Sequence, residues 1–158
     1  MVLDDDDPFW EQRSGQDLHE GPGWQDGDSA RALVLYSSVA RGTRAILDFL
    51  MDRPGELVGV DVIAGQIRDR RPCEIATSHR RAVAGSLTFV RRPVAESGRR
   101  VPFHWWGGTR GLPARYAMKP RVARVFREAR KTRPGPSGAF PATALVSGGD
   151  EVCPDGLD

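Results

Sequence analysis

Between Leu33 and Ala129 the apolar residues change spacing repeatedly, and that succession constrains the fold more than any other feature of the chain. Leu33, Val34, Leu35 and Tyr36 form a short apolar run bounded by Ser37 and Ser38, which predicts a strand. From about Arg41 to Asp52, Ile46, Leu47 and Leu50 fall on one helical face, and Arg53, Pro54 and Gly55 end that helix because a residue before proline is pushed out of helical geometry. Val60, Ile63, Ala64 and Ile67 have the i, i+3, i+4, i+7 spacing of a second helix, about Gly59 to Arg68. A polar turn through Asp69, Arg70, Arg71 and Pro72 leads to a third helix that starts near Thr77 or Ser78, either of which can cap it. Its apolar stripe is Ala76, Val83, Leu87 and Val90, and Pro93 weakens its end.

Farther on, Val101, Phe103 and Trp105 alternate with Pro102, His104 and Trp106; Gly107 and Gly108 break the run, and Tyr116 and Met118 resume it. This is a hairpin with a long tip, Gly107 to Pro113. Trp105 and Trp106 face opposite ways, so one belongs to the core, and Trp106 is expected to pack beneath the hairpin. Pro120 opens a fourth helix with Val122, Val125, Phe126 and Ala129 buried and Arg121, Arg124, Arg127 and Arg130 on its other side. The stripes predict one core containing Ile46, Leu50, Ile63, Ile67, Val83, Leu87, Val90, Phe103, Val125 and Phe126.

The net charge of +2 conceals a division along the chain. Residues 1–29 carry nine acids and one base, a net −8; residues 30–133 carry 22 bases and eight acids, a net +14; residues 134–158 carry four acids and no base. A domain as basic as the middle section attracts polyanions, of which nucleic acid is the commonest in the cytoplasm. The two ends lack any sustained period, and both read as disordered: 1–29 as an acidic tail, 134–158 as a tail broken by Pro134, Gly135, Pro136 and Gly138. The acidic tail is either a solubilising segment, an internal competitor for the basic domain, or a motif for a protein partner anchored by Phe9, Trp10 and Trp24.

Other chemistries find little support. Cys73 and Cys153 are far apart and form no metal or redox motif, and His19, His79 and His104 share no ligand spacing with one another. No GxSxG, GxxxxGK[ST], HExxH or dinucleotide fingerprint occurs, so no enzyme, metal or cofactor is expected. No apolar run approaches the ~18 residues that span a bilayer, and a cytoplasmic location is expected.

The order strand, helix, helix, helix, hairpin, helix resembles the winged helix-turn-helix superfamily over residues 30–133. The expected fold is therefore α/β (α+β), with three to four helices and a short antiparallel sheet made from the N-terminal strand and the wing hairpin. The segments ILDFLMDRPGELV, RRAVAGSL, VPFHWW and RYAM also resemble a group of short actinobacterial proteins of unassigned function. The superfamily resemblance implies that the third helix enters the major groove of double-stranded DNA while the wing touches a neighbouring groove or the backbone. Opposite its apolar stripe that helix carries Ser78, Arg81, Gly85, Thr88 and Arg92, flanked by Arg80 and Arg91. On this reading Arg81 and Arg92 contact phosphate or guanine, Ser78 and Thr88 add hydrogen bonds, and Gly85 permits close approach. Arg110 and Arg115 extend the contact from the wing. The expected function is a DNA-binding transcriptional regulator; the rival is a winged helix module that binds another protein in a multisubunit complex. Oligomeric state stays open, a homodimer being compatible with the sequence.

Overall fold

The protein is described by a computed structural model covering residues 1–14, 19–69, 77–108 and 113–133. The apolar run at 33–36 is not a strand. It lies inside helix α1, Ser29–Ser38, where Ala32, Leu35 and Tyr36 are buried and Val34 is 65% exposed. The reason is legible in a slightly wider window: Ala32, Leu35, Tyr36 and Val39 have helical spacing, and all four are buried.

Helix α2 spans Arg41–Met51 and buries Ile46, Leu47, Phe49, Leu50 and Met51. The strand that joins the hairpin is β1, Val58–Gly59, so it follows the first predicted helix instead of preceding it. Helix α3 spans Val60–Arg68 and stops at Asp69, whose φ of 53° is left-handed. Helix α4 spans Thr77–Thr88 with Val83 and Leu87 buried. The segment after it is a separate helix, α5, Arg91–Ser97, in which Pro93 occupies the first turn, where a missing N–H costs nothing. Strands β2, His104–Trp106, and β3, Arg115–Ala117, form the predicted hairpin, and helix α6 spans Pro120–Thr132.

The layout is α+β and winged-helix-like: an antiparallel sheet in the order β1-β3-β2 packs beside the helices, with Trp105 opposite Tyr116 and Trp106 opposite Arg115. Nine of the ten predicted core residues belong to one cluster. The exception is Ile67, which is 39% exposed in the last turn of α3.

The alternation in β2 and β3 gives the sheet two faces. Tyr116 and Trp105 pack toward the helical core, while Trp106 and Ala117 form a second cluster with Leu3 and Trp10 from the N-terminal segment. The segment expected to be an acidic disordered tail therefore has buried anchors among its described residues, with most of its acids exposed between them. Leu3, Trp10 and Trp24 are at most 3% exposed. Phe9 stacks on Trp106 at 4.9 Å, Trp106 Nε1 donates to the Phe9 carbonyl, and Trp24 Nε1 donates to the Arg100 carbonyl at 2.7 Å. Of the aromatics read as anchors for a partner, Trp10 and Trp24 are buried within the chain and Phe9 is half-buried. The expected tail at 134–158, the polar turn at 70–72 and both cysteines lie outside the described residues.

Candidate nucleic-acid interface

Helix α4 stands at the edge of the core: among its described residues Val83 and Leu87 are the buried ones, and Thr43 of α2 helps to hold it, its hydroxyl donating to the Ser86 carbonyl at 2.8 Å. Ser78, Arg81 and Thr88 are exposed, and a side chain at Gly85 would meet nothing within 4 Å. These four residues share one outward face, as their spacing predicts. The Thr88 hydroxyl donates back to the Ala84 carbonyl at 3.0 Å, which leaves its lone pairs facing out.

Arg80 is differently placed. Its guanidinium donates two bonds to Asp61, at 2.5 and 3.3 Å, so it clasps α4 to the first turn of α3 and its charge is already balanced. Arg91 and Arg92 are not on α4 at all. The backbone breaks at Phe89 and Val90, and both arginines open α5, where Arg92 pairs with Glu96 at 3.0 Å with its side chain 90% exposed. The expectation that Arg91 and Arg92 continue the third helix's outer face is thereby corrected: Pro93, which cannot sit in a helix interior without losing a hydrogen bond, falls instead in the first turn of a new helix. Arg115 is exposed on β3, and Arg110 lies outside the described residues.

Much of the positive charge of residues 30–133 serves the fold itself. Arg44 donates to the Tyr36 and Val39 carbonyls at the end of α1, Arg127 to the Met51 carbonyl at the end of α2, and Arg31 to the Ser97 carbonyl at the end of α5. Each satisfies a helix C-terminus that would otherwise lack donors. Arg130 bridges Asp48 and Asp52, and Arg99 grips Asp28 through two bonds at 2.9 and 3.1 Å. That pairing, strongest through the Arg99 hydrogen bond, holds the Asp28 carboxyl below the usual carboxylate range. Three of the N-terminal acids pair with arginines that are not on α4: Glu11 with Arg13, Asp26 with Arg124, and Asp28 with Arg31 and Arg99.

Sequence reasoning overlooked a cleft between α4 and the hairpin. One half, about 420 Å³, is lined by Leu87, Thr88, Arg91, Phe103 and Trp105; the other, about 650 Å³, by Val60, Asp61, Arg80 and Arg81. The halves share Ala84, Gly108, Ala114 and Tyr116. Burial pushes the Tyr116 phenol above its ordinary pKa, so it remains neutral there. The signal in sequence was the set of small residues on both walls, which no periodicity argument weighs.

Among the described residues, no group of three or more His, Cys, Asp or Glu side chains is placed to hold a metal ion, and no helix is long and apolar enough to cross a membrane. No curated protein and no solved structure matches the chain. Residues 29–133, α1 through the end of α6, match a family model, and the chain belongs to the family described as "Family of unknown function (DUF6416)".

Proposed function

We propose that this chain is a winged helix DNA-binding protein, a cytoplasmic transcriptional regulator whose helix α4 enters the major groove of double-stranded DNA. The observation that carries the reading is the outer face of α4, on which Ser78, Arg81, Gly85 and Thr88 stand clear of the core with no acid among them. Arg81 supplies a fork of donors for guanine or phosphate, the small side chains let the backbone approach, and Arg115 on the wing reaches toward the flanking strand. Arg80 acts through the α3–α4 clasp and so orients the helix. Of the N-terminal acids, Glu11, Asp26 and Asp28 spend their charge on arginines outside this face.

The test is retardation of a random-sequence duplex by the full chain across a salt series. Counterion release makes such binding fall steeply with salt, and absence of any shift at low salt overturns the proposal.

One observation favours the rival reading. Phe89, immediately after α4, is 77% exposed, and an aromatic in such a position suits a protein partner. On that reading Phe89→Ala abolishes complex formation, whereas for a DNA-binding protein it leaves the salt-dependent shift unchanged.

A further inference from the structure

The cleft between α4 and the hairpin has two chemically different ends. At one end Phe103, Trp105 and Tyr116 form an aromatic floor against Leu87, and the walls above are cut back to Ala84 on the helix and Gly108 and Ala114 on the hairpin. At the other end stand Arg80 and Arg81. Asp61 balances Arg80, so the net positive charge of that end belongs to Arg81. Thr88 and Arg91 border the aromatic end as well, and the size of the cleft, with apolar surface beside a small number of polar groups, is that of a small-molecule site. Within this floor Leu87, Phe103 and Tyr116 are at most 5% exposed and Trp105 is half-buried, so Trp105 offers most of the ring surface that a ligand can reach.

We propose that this cleft binds an amphipathic aromatic anion, of the class of fused-ring or biaryl carboxylates, with its rings on Phe103, Trp105 and Tyr116 and its carboxylate at Arg81. The inference deepens the DNA-binding reading and, for its regulatory consequence, rests on it. A carboxylate held at Arg81 takes the same guanidinium that would meet DNA, and rings wedged under Ala84 press on the inner side of α4. Ligand and DNA then compete, which makes the cleft the place where a metabolite of this class releases the protein from its operator.

The experiment uses the full chain and 2-naphthoate, with neutral 2-naphthalenemethanol as comparator, titrated calorimetrically without DNA. The expected result is one naphthoate per chain, bound more tightly than the alcohol. Ala84→Phe fills the cleft from an exposed helix position and should weaken both ligands at least about tenfold; Thr88→Tyr does the same from the next turn if the first variant folds poorly. Arg81→Gln should weaken naphthoate about tenfold, the loss expected for one charge-assisted hydrogen bond, and leave the alcohol unchanged. No heat at millimolar naphthoate, or binding that well-folded Ala84→Phe and Thr88→Tyr leave intact, overturns the site. A second arm adds naphthoate to the protein on duplex DNA: release from the wild type and not from Ala84→Phe supports competition, and undiminished retention overturns it. A chain that binds naphthoate and never DNA keeps the site and overturns the DNA reading, so the two failures are distinguishable.

Discussion

Gly55 and Leu3 meet so closely that a Cβ on residue 55 would lie 2.1 Å from the Leu3 carbonyl oxygen. The Leu3 amide donates to the Gly55 carbonyl at 2.8 Å, and the Gly55 amide donates to Met118 at the same distance. The turn after α2 therefore joins the N-terminal segment to the strand end of the hairpin, and its φ of +75° is accessible to glycine alone without strain.

Gly55→Ala should accordingly be among the most damaging small substitutions in the chain. The left-handed backbone costs about 1–2 kcal/mol with any side chain. The clash adds more, because the nearest atoms are backbone and cannot rotate away. A loss of about 2–4 kcal/mol by urea unfolding is expected. A loss below about 1 kcal/mol would mean that the N-terminal segment is not held there. Combining the change with Leu3→Ala should give less than the sum of the two, since each removes the same docking.

Asp5 supplies a second attachment. Its Oδ1 accepts the Arg121 amide at 2.9 Å, in the first turn of α6, where Pro120 has no N–H and Lys119 offers no capping side chain. A carboxylate there satisfies an orphan donor and sits favourably at the positive end of the helix dipole. Asp5→Ala should cost about 1 kcal/mol, and Asp5→Asn, which keeps the acceptor, less than half as much. Equal effects of Ala and Asn would show that charge matters and the hydrogen bond does not. Asp6, exposed nearby, is the control and should be nearly neutral to substitution.

His104 makes the fold acid-sensitive. It is 4% exposed, its ring stacks on His19 at 4.5 Å and leans on Trp10, and its Nδ1 has no hydrogen-bond partner. Burial first, then His19, Lys119, Arg13 and Arg100, push its pKa down to about 2. The unfolded chain binds a proton near the ordinary value of 6.5, so between that pH and about 2 the unfolded state holds one more proton than the folded state. Stability from this group is thus complete above pH 6.5 and declines as pH falls, by up to about 1.4 kcal/mol per unit. Thermal melts of wild type and His104→Phe between pH 7 and 4 should diverge, the variant losing less. Parallel curves would mean that His104 takes up its proton in the folded state without penalty.

The helices and the hairpin were legible because each rests on a local stripe long enough to show its period: Val60, Ile63 and Ala64 for α3, Val122, Val125, Phe126 and Ala129 for α6. What failed failed for identifiable reasons. Four apolar residues at 33–36 satisfy strand and helix alike, and Ala32 and Val39 decide the matter only when the window is widened. The N-terminal segment has no period because it folds by contacts distant in sequence: Trp10 over Trp106, Trp24 on Phe126, Asp28 on Arg99. Composition reads such a segment as unfolded. Within the candidate site, the exposed face of α4 was legible from helical spacing, whereas the pairing of Arg80 with Asp61 and the cleft beside Ala84 depend on how α4 sits against α3 and the hairpin.

The two arginines first placed together now make opposite predictions. Arg81 stands exposed on the outer face of α4, whereas Arg92 lies on α5 and spends part of its charge on Glu96 at i+4. An exposed pair of that kind contributes little to stability, so alanine at either position should leave the unfolding midpoint nearly unchanged. Their effects on DNA should differ. If Arg81 meets a phosphate, Arg81→Ala reduces the slope of log affinity against log salt by about 1 and weakens binding to every duplex alike. If it meets guanine, the slope changes less and discrimination is lost at one base position, by about 1–3 kcal/mol. Arg92→Ala, by contrast, should leave both slope and preference within error, and Arg80→Ala should weaken binding while also lowering stability, because it releases the α3–α4 clasp. A retardation series on one duplex and its single-base variants separates these outcomes. An Arg92→Ala effect as large as that of Arg81→Ala would place the interface across α5 and remove α4 from its centre.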